Sequence, residues 1–144
     1  MEEKNKPRQK SLPKSGKGKI LLMDDDELIR ETAGEMLHRL GYDVGFAWNG
    51  SEAIKVYKTA MESGSPFDAV IMDLTIPGRM GGKEAIKGLL EIDPDVKAIV
   101  SSGYSSDTIM ANYKQFGFAG VLAKPYRSKE LSELLYQVIS KKTG

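Results

Sequence analysis

The 144-residue chain contains no cysteine and a single histidine, His38. It therefore has no disulfide framework, no thiolate zinc site and no catalytic thiol, and one imidazole is too few for a histidine metal cluster. A Ser-His-Asp arrangement would depend on His38, which lies beside Arg39 at a polar position of a helical pattern and is interpreted as a surface residue. Chemistry in this chain is therefore expected from carboxylates, hydroxyls and lysines.

Long apolar runs are also missing. No stretch approaches the roughly 20 apolar residues that span a bilayer, and the amino terminus is polar where a secretory signal would be apolar. We therefore expect a cytoplasmic location and no membrane contact. The content of 40% apolar residues and the formal net charge of +1 are typical of one soluble globular domain.

The near-neutral charge is unevenly distributed along the chain. Residues 1–19 carry seven of the 21 Lys and Arg residues but only Glu2 and Glu3 of the acids, so the remainder is net negative. With Met1 and Leu12 as its only sizeable apolar groups, this segment buries too little to offset the entropy of ordering it. The sequence predicts a basic flexible linker over residues 1–18 and a folded domain over 19–144. Its lysines lack interleaved aromatic residues, so no nucleic-acid contact is expected.

From Lys19 onward, short apolar runs alternate with segments of helical periodicity. Near-continuous apolar runs are typical of parallel strands buried on both faces, and they lie at Ile20–Met23, Ala69–Met72, Val96–Val100 and Val121–Ala123, with a less regular edge strand at Tyr42–Ala47. Apolar spacings of three and four predict helices over about 28–40, 53–61, 85–90, 106–116 and 131–139, of which the fourth has the weakest pattern. The alternation predicts an α/β fold with a doubly wound, five-stranded parallel sheet and five helices.

Chemically useful side chains follow four of the five predicted strands. They are Asp24-Asp25-Asp26, Asp73, Ser101-Ser102 and Lys124-Pro125. Because ligands of such sheets bind at the carboxyl ends of the strands, these groups are expected at one edge. Neighbouring carboxylates repel one another unless a hard cation lies among them, and Mg²⁺ prefers oxygen ligands, so a magnesium site is predicted. A lysine and a hydroxyl leave room for a phosphoryl group, and a carboxylate acceptor would give an aspartyl phosphate.

These residues belong to motifs that resemble a known family. The segments ILLMDDDE, VIMDLTIPG, IVSSGY and VLAKPY follow in the order and at the separations of the receiver domain of two-component response regulators, which residues 19–142 resemble. The segments DLTIPGRMGGKEAI and SSGYS are most similar to those of receivers attached to hybrid sensor histidine kinases. The resemblance implies a flavodoxin-like strand order, 2-1-3-4-5, and a domain that catalyses its own phosphorylation and dephosphorylation.

The resemblance also implies roles for the acidic residues. Asp73 would be the phosphoacceptor and a magnesium ligand, and Asp25 would bind magnesium directly. Asp24 would act on the metal through water, and the backbone carbonyl of Thr75 would complete the protein ligands.

The remaining implied roles concern the phosphoryl group and its donor. The Ser102 hydroxyl would follow the phosphoryl group, and Lys124 would pair with a phosphoryl oxygen, with a cis peptide before Pro125. The donor would be a phosphohistidine of a histidine kinase or a histidine phosphotransfer domain. Output, including self-association, would use the fourth helix, fifth strand and fifth helix.

Three positions depart from or vary within the family pattern. Many receivers carry Tyr or Phe three residues before the lysine, where this chain has Val121, so no aromatic ring can rotate there. Thr75 and Tyr104, two residues beyond Asp73 and Ser102, cannot act as strong bases, so slow hydrolysis of the phosphoryl group is expected.

Two other classes share parts of this pattern. A flavodoxin-type flavin domain needs phosphate contacts after the first strand, where three acids would repel a flavin phosphate. A magnesium-dependent phosphatase of the haloacid-dehalogenase kind forms an aspartyl phosphate, but it wants a second acid at the position of Thr75. The phosphatase is retained as the alternative function.

Overall fold

The computed structural model describes residues 17–103 and 108–140. Strands and helices alternate along these residues, as predicted. They are β1 (Gly18–Met23), α1 (Glu27–Arg39), β2 (Tyr42–Ala47), α2 (Gly50–Glu62), β3 (Ala69–Asp73), α3 (Gly82–Ile92), β4 (Ala98–Ser102), α4 (Thr108–Ala111), a 3₁₀ turn (Tyr113–Phe116), β5 (Gly120–Ala123) and α5 (Ser128–Ser140). Residues 1–16, which make up most of the predicted linker, and Tyr104 lie outside the described residues.

The five strands form one parallel sheet in the order β2-β1-β3-β4-β5. This confirms the predicted fold class and strand order. Side chains alternate between the two faces of each strand, so Leu21 and Met23 join an apolar cluster beneath α2, α3 and α4. Ile20 and Leu22 join a second cluster beneath α1 and α5. Burial on both faces explains why the strands read as near-continuous apolar runs.

The ends of two helices follow the signals in the sequence. Asn49 caps α2 by accepting a hydrogen bond from the Glu52 amide at 3.0 Å. The Glu52 carboxylate reaches back to the amide of Trp48 at 2.6 Å, one residue before the capping position. Gly41 follows α1 with φ of 103°, a left-handed conformation that glycine adopts without strain.

Most elements differ from their predicted bounds by a few residues, and the differences at the fourth helix and fourth strand bear on the site. Residues 106 and 107 of the predicted fourth helix lie outside the described residues. The rest of it, 108–116, is one α-helical turn and one 3₁₀ turn, because Asn112 between them leaves helical geometry, with φ of −119° and ψ of 37°. Strand β4 begins at Ala98, two residues later than predicted, and extends through Ser102. Ser101 and Ser102 therefore lie within the strand. None of the described helices has the length and apolar character needed to cross a membrane.

Candidate functional site

Three carboxylates meet at the carboxyl edge of the sheet. Neighbouring strands β1 and β3 end at the same level, with Met23 in register with Met72, and they bring Asp24, Asp25 and Asp73 together. One oxygen from each carboxylate lies within 4.8 Å of the others. Asp24 is 1% exposed, Asp73 is half-buried and Asp25 is exposed, so the cluster opens to solvent on one side.

The third acid of the run after β1 has a different role. Asp26 is the N-cap of α1, and its Oδ1 accepts a hydrogen bond from the amide of Leu28 at 2.9 Å. The amide of Asp26 in turn donates to Asp24 Oδ1 at 3.0 Å, which orients the Asp24 carboxylate at the start of the helix. Asp26 therefore caps the helix, whereas Asp24 and Asp25 join the cluster.

Lys124 brings one positive charge to the three acids. Its Nζ lies 2.7 Å from Asp24 Oδ2 and 3.4 Å from Asp73 Oδ1. The Lys124 amide donates to the carbonyl oxygen of Ser102 at 3.0 Å, so strand pairing places the lysine beside β4. The peptide bond between Lys124 and Pro125 is cis, as expected. The predicted convergence of the acids and the lysine at one edge is confirmed.

Burial and the neighbouring charges together change the protonation of the site. Burial raises the pKa of Asp73 to about 6, with Lys124 opposing this rise and the carboxylates of Asp24 and Asp25 adding to it. Burial alone would lower the pKa of Lys124, but its hydrogen bond to Asp24 and the charge of Asp73 raise that pKa overall. The lysine is therefore cationic at neutral pH, while a second cation near Asp73 would favour its ionised form.

The donor set is suited to a hard divalent cation. All the clustered side-chain ligands are carboxylate oxygens, the type that Mg²⁺ prefers. Thr75 is exposed two residues beyond Asp73, in the segment that continues from the end of β3. A Cβ atom at Gly81 would lie 2.5 Å from the carbonyl oxygen of Leu74 and 3.0 Å from Cα of Thr75. Only glycine at this position therefore allows the loop before α3 to pack against the backbone of Leu74 and Thr75.

Ser102 is the last residue of β4 and lies at the same edge of the sheet. It is 5% exposed, lies in register with Ala123 of β5 and follows Ser101, which lies in register with Asp73. The residues named as site candidates from the sequence thus occupy adjacent strand ends. The sequence signal for this arrangement is the position of polar residues at the ends of apolar runs.

Arg30 supports the site although sequence reasoning assigned it no role. Its Nη1 donates to the carbonyl oxygen of Asp24 at 2.8 Å, and its guanidinium carbon lies 4.4 Å from the ring centroid of Trp48. The side chain is 9% exposed. Its spacing from the core residues Ala33 and Leu37 is three and seven, so helical periodicity could have identified it as facing inward.

Ser101 and Tyr126 form a second arrangement without a predicted role. The Ser101 Oγ and the Tyr126 hydroxyl lie 2.6 Å apart, and either oxygen can donate. The motifs SSGY and VLAKPY contain both residues, but no spacing along the chain indicates that their hydroxyls meet.

Comparison with known proteins identifies the family. The model of the response regulator receiver domain matches residues 20–136. The chain belongs to this family. Family membership and a cluster of carboxylate oxygens at the sheet edge agree with the predicted magnesium cofactor.

Curated relatives include both kinases and stand-alone receivers. The chain is 30% identical over 138 residues to the sensor kinase CckA of Brucella abortus, covering 96% of this chain and 14% of that protein. It is 32% identical over 121 residues to the chemotaxis protein CheY of Thermotoga maritima, covering 83% of this chain and 96% of that protein. The chain thus corresponds to a small part of the kinase and to nearly all of the chemotaxis protein.

Solved structures show the same fold. The receiver domain of a sensor histidine kinase from Pseudomonas aeruginosa, which has a magnesium ion coordinated in its active site cleft, aligns with a TM-score of 0.76 and 25% identity, covering 88% of this chain and all of that one. The non-phosphorylated HemR receiver domain from Leptospira biflexa aligns with a TM-score of 0.74 and 28% identity, covering 88% of this chain and 98% of that one.

Proposed function

We propose that Asp73 accepts a phosphoryl group from a phosphohistidine of a histidine kinase or a histidine phosphotransfer domain. The observation that carries this proposal is the position of Lys124 Nζ, 2.7 Å from Asp24 and 3.4 Å from Asp73 in a cluster of three carboxylates. This arrangement provides a nucleophilic oxygen, a metal-binding set of oxygens and a fixed cation on adjacent strand ends. A receiver needs all three for phosphoryl transfer.

In the proposed reaction, an Asp73 carboxylate oxygen attacks the phosphorus. The P–O bond to Asp73 forms as the P–N bond to the donor histidine breaks, and the electron pair of that bond returns to the imidazole. The Lys124 ammonium neutralises charge on the phosphoryl oxygens. Asp24, Asp25, Asp73 and the Thr75 carbonyl would hold magnesium, which supplies further neutralisation of that charge.

The response to phosphorylation is proposed to pass through the fourth and fifth strands. Ser102 follows the phosphoryl group, and its carbonyl oxygen accepts the hydrogen bond of the Lys124 amide at 3.0 Å. A shift at either residue therefore reaches the other through the strand pairing. Val121 of β5 is half-buried against the apolar cluster beneath α4, which supports a route through α4, β5 and α5. Self-association through this surface is part of the proposal.

The decisive experiment is phosphorylation by a small-molecule donor. Acetyl phosphate with magnesium should raise the intact mass by one phosphoryl group, roughly 80 Da. Chelation of the metal should prevent the gain, because the three acids then repel the incoming anion. Asp73→Asn should abolish it. A variant that still gained the phosphoryl group at the parent's rate would overturn the assignment of Asp73.

A matched control comes from the capping acid. Asp26→Asn alters a neighbouring carboxylate outside the cluster and keeps a residue that caps helices well, so it should phosphorylate at the parent's rate. Continuous turnover of phosphomonoesters would instead favour the phosphatase. The cytoplasmic location and the kinase partner remain predictions, the second of which is tested by transfer from a phosphorylated histidine phosphotransfer domain.

A further inference from the structure

A pair of hydroxyls lies directly beside the acid and lysine cluster. The Ser101 side chain is fully buried, and its Oγ lies 2.6 Å from the hydroxyl of Tyr126. The Tyr126 ring packs against the apolar cluster beneath α1 and α5. A buried hydroxyl without a partner is costly, so each of these groups holds the other in one geometry.

Both residues are connected through the backbone to residues of the proposed reaction centre. Ser101 is paired in register with Asp73, and its carbonyl oxygen accepts a hydrogen bond from the amide of Leu74 at 2.8 Å. Tyr126 follows Lys124 by two residues, across the cis peptide before Pro125. The hydroxyl contact therefore joins the backbone beside the phosphoacceptor to the segment that carries the lysine.

We infer that Ser101 and Tyr126 are positioning residues, whose hydrogen bond holds the segment after β5 so that the Lys124 ammonium stays over Asp73 and Asp24. The inference rests on the proposed function, since it assigns how the lysine of that site is held. In this inference the two hydroxyls act through Lys124 and not on the phosphoryl group itself. Burial, together with the charges of Asp24 and Asp73, raises the pKa of Tyr126, which keeps its hydroxyl neutral and able to donate.

The role of the pair has a distinctive consequence for metal binding. Lys124 and magnesium both neutralise Asp24 and Asp73, so the two cations compete for the same negative charge. A lysine that is held less firmly should slow phosphoryl transfer and, at the same time, let magnesium bind more tightly. General loosening of the fold would weaken both properties. The two readouts therefore separate positioning from stability.

The test compares two tyrosines that differ in location. Tyr126→Phe removes the hydroxyl beside the site, and Tyr57→Phe removes another buried hydroxyl, which donates to Asp93 Oδ2 at 2.6 Å between α2 and the end of α3. Phosphorylation by acetyl phosphate is followed by intact mass, and magnesium affinity by amide NMR shifts. For Tyr126→Phe we expect phosphorylation about three- to fivefold slower and magnesium affinity about twofold or more higher. Changes of this size correspond to the free energy of one hydrogen bond. Tyr57→Phe should change neither.

Further variants test whether the pair acts as a unit. Ser101→Ala should reproduce both changes, and the Ser101→Ala/Tyr126→Phe double variant should lose no more rate than either single variant. Unchanged or weaker magnesium binding in Tyr126→Phe would overturn the inference, as would equal losses of rate in Tyr126→Phe and Tyr57→Phe. If the parent protein gained no phosphoryl group, the proposed function would fail while the magnesium titration still decided the role of the pair.

Discussion

The two ends of strand β1 both carry charged side chains, but they balance them differently. At the amino end, the Lys19 amide donates to Asp68 Oδ2 at 2.8 Å, and Lys19 Nζ donates to the carbonyl oxygen of Ser65 at 2.9 Å. The same ammonium lies 4.7 Å from the ring centroid of Phe67. One lysine and one aspartate are thus both satisfied by neighbouring groups, an arrangement that anchors the strand.

At the carboxyl end, three carboxylates share one ammonium. Asp24 is almost completely buried, and burial is the main reason that the pKa of Asp73 rises to about 6. Burying these acids is a cost to the metal-free fold, and their surplus of negative charge attracts a divalent cation. The amino end of the strand, where the charges balance, is an anchor, and the carboxyl end, where acids outnumber the lysine, carries the donor set for a cation.

The largest expected effect is a loss of magnesium binding when one of the clustered carboxylates is removed. Asp25→Asn removes a proposed direct ligand, and magnesium affinity should fall at least about tenfold. Asp68→Asn changes an exposed acid at the opposite end of β1, so it should leave that affinity unchanged. Amide NMR shifts in a magnesium titration measure both. Equal losses in the two variants would show that net charge, rather than the cluster, attracts the cation.

Much of this contrast was predictable from the sequence. Near-continuous apolar runs identified the strands, and strict alternation with helices predicted that they are parallel, so polar residues at the ends of the runs were expected to converge at one edge. The family motifs then assigned individual roles. Ser101 shows the limit of this reasoning, because β4 begins two residues later than its apolar run suggested and includes both serines.

Tertiary contacts account for what the sequence did not reveal. Nothing along the chain indicates that the hydroxyls of Ser101 and Tyr126 meet, since they lie 25 residues apart and on different elements. The stacking of Arg30 on Trp48 likewise depends on α1 lying beside the end of β2. The fourth helix was weakly patterned because its described part contains only one α-helical turn and one 3₁₀ turn.

The second prediction concerns the stability of the metal-free protein. Because the pKa of Asp73 is about 6 in the fold and 3.8 for an ordinary aspartate, the folded state retains a proton that the unfolded state releases between these pH values. Stability should therefore fall as pH rises from about 4 to 6, and the penalty should persist above that range. Asp73→Asn should then be more stable than the parent by about 1–2 kcal/mol at pH 7 in chelator.

Urea unfolding at pH 4 and pH 7 measures this difference. The gain from Asp73→Asn should shrink to a fraction of its pH 7 size at pH 4, where the carboxyl of the folded parent is protonated and that of the unfolded chain is only partly ionised. Asp68→Asn, at the amino end of β1, should show no gain in the free energy of unfolding at pH 7. A gain of equal size at both pH values would trace the effect to packing and not to charge.

A smaller effect is expected on the lifetime of the phosphorylated state. Thr75 is exposed two residues after Asp73, and its hydroxyl does not orient water as a carboxamide does. Thr75→Asn should therefore speed dephosphorylation by a few-fold, and we expect the same direction for Tyr104→Glu. Loss of the phosphoryl mass after removal of the donor gives the rate. Slower loss in both variants would contradict this account.

The smallest expected effect is at Val121, where a receiver with an aromatic residue would have a ring to rotate. Val121 is half-buried against the apolar cluster beneath α4, and its side chain has no polar group to exchange partners. Beryllofluoride with magnesium should therefore shift the amide NMR signals of Ser102 and Gly103. The scalar couplings of the Val121 methyl groups should show that its rotamer is unchanged. Signals of Lys19 and Asp68, at the balanced end of β1, should not move. A change of the Val121 rotamer with a fixed Ser102 region would show that the side chain, and not the backbone after β4, carries the response.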